Sequence, residues 1–140
     1  MRLRLVPSLI VASGILLSVQ ASGAQPGIEV HRGDDGLVFG SCVPSLVAEN
    51  KSAESVSFLQ VDVLFILANG EQRDIELQSS YRDGILFPIV PGAKALLKQH
   101  LDLSRALGVP CDQVKSRKVL RVLCEGMNGR TCNSPVSAEP

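Results

Sequence analysis

The chain has 140 residues, 14 Lys+Arg against 14 Asp+Glu, and no formal net charge. That balance argues against nucleic acid as a partner, because neutralising phosphates takes clustered cations. With no Trp and one Tyr, there is also no aromatic platform on which bases would stack.

Arg2 and Arg4 precede an apolar run from Leu5 to Val19, followed by the small-x-small triplets Val19-Gln20-Ala21 and Ser22-Gly23-Ala24. This is the layout of a secretory signal peptide over 1–24. The run is short for a bilayer span, which needs about 20 residues. No Cys follows closely enough for lipoprotein processing, and no second apolar run of spanning length appears. The mature chain is therefore expected to be exported, periplasmic or secreted, without a membrane span and with one domain.

Residues 25–36 are rich in Gly, Asp and Pro, which predicts a loose N-terminal arm. The folded domain is placed at 37–133. Leu37 to Phe39 is a short strand, and Cys42 to Ala48 a fuller one that Pro44 assigns to a sheet edge, since proline has no N–H to donate. Glu49 to Ser52 is a turn, and Asn50-Lys51-Ser52 in it fits an N-glycosylation sequon.

Ser55 to Leu67 is the central strand. Leu59, Val61, Val63, Phe65 and Leu67 share one face, and Phe58, Gln60, Asp62, Leu64 and Ile66 share the other. The next alternation, Ile75 and Leu77, fixes the loop between them by parity. A three-residue loop over 68–70 sets Val63 opposite Ile75 and Val61 opposite Leu77. A two-residue loop would set Val63 opposite Glu76. The longer loop predicts a left-handed Gly70.

Asp83-Gly84 turns the chain, Ile85 to Val90 is a short strand containing Pro88, and Pro91-Gly92 turns it again. Residues 93–101 read as a strand, with a helical alternative over 93–107 and a single helical turn near Ser104 to Leu107. Val119 to Cys124 is a strand, and the basic residues Lys115, Arg117, Lys118 and Arg121 read as its solvated face or entry. The tail, 134–140, is expected to be disordered. Six or seven short strands separated by turns predict an all-β, antiparallel two-sheet sandwich of fibronectin III/immunoglobulin-like type.

Four cysteines in an exported chain imply disulfides. A Met127-Asn128-Gly129 loop pairs 126 with 130 and hence sets Cys124 opposite Cys132. That favours Cys124–Cys132 with Cys42–Cys111. In a simple sandwich Cys42 and Cys111 lie at opposite ends, so Cys42–Cys132 with Cys111–Cys124 stays open. No Cys-x-x-Cys pair exists, and His31 and His100 lie far from any cysteine, so no metal site is expected. Asp34-Asp35-Gly36 reads as a turn rather than a calcium loop. No nucleophile, acid/base set or phosphate loop converges, and neither catalytic residues nor a cofactor are expected.

Asn50-Lys51-Ser52, then Val61-x-Val63-x-Phe65, then Pro91-Gly92, then a Cys-bearing last hairpin run in this order over about Cys42 to Cys132. The succession resembles the bacterial exported fibronectin type III-like domains of the interleukin receptor mimic protein A type. The resemblance implies a protein-binding sandwich capable of dimerising, no enzyme, and no particular binding residues. From the residues themselves, the candidate surface is the outer face of the central strand, Phe58, Leu64 and Ile66, as an apolar patch for a protein partner or a second copy. A periplasmic inhibitor or chaperone-like module adding a strand at an edge is the alternative reading.

Overall fold

A computed structural model describes residues 25–79, 81–82, 85–99 and 107–140. The signal peptide expected at 1–24, the 83–84 turn and the helical turn near 104–107, but for Leu107, lie outside these residues. The described strands are β1 (Ile28–Arg32), β2 (Gly36–Val38), β3 (Ser41–Val43), β4 (Ser45–Asn50), β5 (Val56–Leu67), β6 (Gln72–Ser79), β7 (Tyr81–Arg82), β8 (Ile85–Leu86), β9 (Lys94–Lys98), β10 (Val114–Gly126) and β11 (Val136–Glu139).

Seven of them form one sheet in the order β10-β5-β6-β9-β4-β1-β11, while β2-β3 and β7-β8 are separate hairpins. Every pairing is antiparallel except β1 with β11. The two strands that end this order, β10 and β11, lie near one another, and the segment between them folds back onto β10. Glu125 bridges Thr131, and the Cys132 N–H donates to the Cys124 carbonyl at 3.1 Å. The all-β class holds, but the expected antiparallel sandwich of two facing sheets is replaced by one mixed, barrel-like sheet. The curl has a local cause. Pairing of β10 with β5 slips at three places, between Val114 and Ser116, Val119 and Arg121, and Glu125 and Gly126. Such bulges bend a strand and increase its twist.

β5 is the organising strand, paired with β10 on one side along its length and with β6 on the other from Gln60 to Ile66. Leu59, Val61, Val63, Phe65 and Leu67 are all buried, with Ile75 and Leu77 of β6 opposite Val63 and Val61 in the register that parity requires. The Leu67 N–H donates to Glu71 O, and Gly70 has φ 86°, so the loop is the three-residue one.

Three segments differ from expectation. Residues 25–36, expected as a loose arm, contain β1, whose Ile28 and Val30 enter the core between β4 and β11. The tail, expected to be disordered, forms β11 alongside β1. The stretch from Cys42 to Ala48, expected as one edge strand, is split at Pro44. β3 belongs to the small hairpin, and β4 is paired on both sides, with β1 and β9. A residue without an N–H cannot carry a ladder across that point, so the chain changes sheets there. For 93–99 the strand reading is right: Leu97 is buried, with Lys94 and Lys98 exposed.

Candidate functional site

On the outer face, cross-strand register places side chains of β10, β5 and β6 in rows. Ser116, Ile66 and Gln72 form one row; Lys118, Leu64 and Asp74 the next; Arg121, Asp62 and Glu76 the third; Leu123, Gln60 and Gln78 the fourth. Bulged residues on β10, Lys115 and Leu120, leave this alternation and are exposed. Of the three expected contact residues, Leu64 and Ile66 are half-buried. They belong neither to the core nor to the apolar residues packed against it. Phe58 is half-buried too. It stands at the far end of the face, opposite Glu125, separated from the other two by Gln60 and Asp62. The structure therefore brings Leu64 and Ile66 together and sets Phe58 apart.

The polar part of the face is closed on itself. Gln78 Nε2 donates to Gln60 Oε1 at 3.1 Å, Gln60 Nε2 to Asp62 Oδ1 at 2.7 Å, and Arg121 Nε to Asp62 Oδ2 at 2.7 Å. This chain crosses all three strands and satisfies both buried groups, Gln60 and Asp62. The remaining charges are divided by strand. Lys118 lies on the β10 side and Asp74 and Glu76 on the β6 side, all three exposed. Among the described residues, no ion pair engages any of them.

One member of the basic run does not belong to that solvated face. Arg117 points inward opposite Phe65, its guanidinium carbon 5.3 Å from the ring centroid, and its side chain pairs with Asp35. Both charged side chains are about 95% removed from solvent, with exposures of 6% and 5%. Asp35 also accepts from Arg32 at 2.8 Å and from the Ser45 N–H at 3.3 Å. Burial alone would push the Asp35 carboxyl up, but the bonds from Arg117 and Arg32 outweigh it and hold the group below its usual value.

The disulfides are Cys124–Cys132 and Cys42–Cys111. The objection to the second vanishes because Cys42 sits in the β2-β3 hairpin, which lies against 107–111. Its N–H donates to Val109 O at 2.7 Å, and its carbonyl accepts from the Leu107 N–H at 3.3 Å. Asp35, Cys42 and Cys111 place an oxygen and two sulfurs within 4.8 Å of one another. Those sulfurs are bonded to each other and that carboxylate faces two arginines, so the cluster offers a cation no free thiolate and an unfavourable field.

Asn50, the sequon residue, is fully buried. Its Nδ2 donates to Glu54 O and Ile89 O, each at 2.8 Å, and its Oδ1 accepts from Ser52 N and Oγ. It locks a turn and is not a glycan acceptor in the fold. An open hollow of about 430 Å³ beside it is lined by Lys51, Glu54 and Asn133. There Lys51 is bonded to Glu29, which raises its pKa and lowers that of Glu29, and Glu54 accepts from the Asn133 N–H. Its charged groups are already engaged and form no acid/base pair.

The short strand expected from Leu37 to Phe39 stops at Val38, and Phe39 lies beyond it. Phe39 occupies the β2-β3 turn with φ 50°, fully exposed, beside a Gly40 that is also left-handed. The signal that locates it is the Phe-Gly pair between two short apolar stretches, where a primed two-residue turn needs positive φ at both positions.

The chain has no significant match among protein-family models, curated proteins or solved structures. Its two disulfides suit an oxidising environment, and among the described residues no helix is long and apolar enough to cross a membrane.

Proposed function

We propose that the protein is an exported, disulfide-stabilised β module that binds another protein chain through the outer face of β5 and performs no catalysis. One observation carries this reading: Leu64 and Ile66 stand outside the core on an ordered, three-stranded surface whose flanks are charged. Both are already half-buried, so covering what remains exposed recovers part of the roughly 1.5–3 kcal/mol that full burial of such a side chain is worth. An apolar centre within a polar rim is the anatomy of a protein interface. Edge addition, as by an inhibitor or chaperone, has less support, because β4 is paired on both sides and the terminal strands of the large sheet, β10 and β11, lie near one another.

The test is a photoreactive amino acid at position 66, with position 94 on exposed Lys94 as the control, in protein expressed and exported by its source cells. Covalent adducts of defined mass are expected at 66 and not at 94. Equal yields at the two positions would remove the face as a docking surface.

A further inference from the structure

The outer face is complementary to itself, and we infer that its partner is a second copy of this chain, related by a two-fold axis running along β5. The inference rests on the reading of this face as a docking surface and adds the partner and the geometry. Two sheets packed face to face have two simple symmetric arrangements. With the axis across the strands, β10 of one copy lies over β10 of the other, and Lys118 and Arg121 meet like charges. With the axis along β5, β10 of one copy lies over β6 of the other. Each Lys118 then faces Asp74 of the second copy, each Arg121 faces Glu76, and Leu64 and Ile66 meet their own counterparts.

Charge alone selects the second arrangement. It also gives Lys118, Asp74 and Glu76 the partners that none of the described residues of their own chain supplies. Curvature works in its favour. On a convex, barrel-like face the central row makes the first contact and the flanking rows fall away, so short apolar groups belong in the middle and long Lys and Arg side chains at the sides. Asp62, which also lies on the axis, is neutralised within its own chain by Arg121. Without the expected 1–24 signal peptide, which carries Arg2 and Arg4 and no acid, each copy has a formal net charge of only −2, so overall repulsion between copies is small. The pairing would supply, between chains, the facing sheets that a sandwich has within one.

Sedimentation equilibrium of the exported chain, together with charge reversals, tests this. The unmodified protein is expected to be a dimer. Lys118→Glu and Asp74→Lys each create two like-charge contacts per dimer and should weaken association about tenfold or more. The combined variant restores both contacts and should restore the dimer. Both positions are exposed and, among the described residues, without ion pairs, so melting of the monomeric fold should be unchanged in every variant. A monomer at high concentration, a dimer indifferent to both reversals, or a combined variant that stays dissociated each overturns the two-fold pairing. Where the protein is monomeric but position 66 crosslinks to a different protein, the pairing falls while the docking face stands. Where position 66 also captures nothing beyond its control, both fall.

Discussion

Asp35 and Arg117 are 82 positions apart in sequence, yet each is the main charge partner the other has inside the fold. Asp35 keeps Arg32 and the Ser45 N–H when Arg117 is removed, whereas among the described residues Arg117 keeps only the face of Phe65 when Asp35 is removed. The two deletions are thus unequal. Asp35→Ala should cost roughly 3 kcal/mol or more, since it strands a buried cation. Arg117→Met should cost less, and adding it to Asp35→Ala should recover much of the loss. Urea unfolding of the four proteins measures this, and strictly additive losses would show that the pair is not coupled. The pH dependence follows from the depressed carboxyl. A group with a lower pKa in the fold stabilises above its unfolded value, about 3.9, and loses that contribution as pH falls through the folded value. The unmodified protein should therefore lose stability below about pH 4 more steeply than Arg117→Met.

At the scale of elements, the β5-β6 turn isolates a backbone effect. Gly70 has φ 86°, and an added Cβ there would meet nothing within 4 Å. Any penalty at that site is conformational rather than steric crowding. Gly70→Val should cost more than about 1 kcal/mol in a denaturant series, and Gly70→Asn, which tolerates the left-handed region, much less. Equal effects would mean that the turn relaxes. This hairpin was legible because five alternating apolar residues on β5 and two on β6 fit only one parity. Other elements were not legible, for definite reasons. β11 offers only Val136 and Ala138, and its partner β1 lies at the other end of the chain and runs parallel. Arg117 is one of four cations in seven residues. Only the bulges at Lys115 and Leu120, which reset the alternation, and distant Asp35 distinguish it. The candidate face was readable as a face, since period two needs no partner. Its division into a basic and an acidic flank needed β10 and β6 to be placed on opposite sides of β5.

Across the whole molecule, β10 is the strand on which closure depends, and the two disulfides hold its two ends. Cys42–Cys111 ties the β2-β3 hairpin to the short 3-10 turn Cys111–Gln113 that leads into β10, with Cα atoms 4.7 Å apart. Cys124–Cys132 ties the end of β10 to the segment entering β11, where the sheet comes round on itself, with Cα atoms 5.4 Å apart. The bridges span separations of 69 and 8 residues. On the chain-entropy estimate the longer is worth about 4 kcal/mol and the shorter about 2.5 kcal/mol. The short one has other support, because its hairpin is also held by Gly126 N–H to Arg130 O and Cys132 N–H to Cys124 O. Without the long one, the hairpin carrying Asp35 at its base is held to 107–111 by three hydrogen bonds alone, and the Arg117 pair is exposed to loosening. Replacing Cys42 and Cys111 by alanine should therefore lower the urea midpoint more than replacing Cys124 and Cys132. It should also make the loss of stability in acid shallower, as in Arg117→Met, because a loosened pair holds the Asp35 carboxyl less far below its unfolded value. The opposite ranking would mean that closure between β10 and β11, rather than the anchoring of the hairpin, limits the stability of the fold.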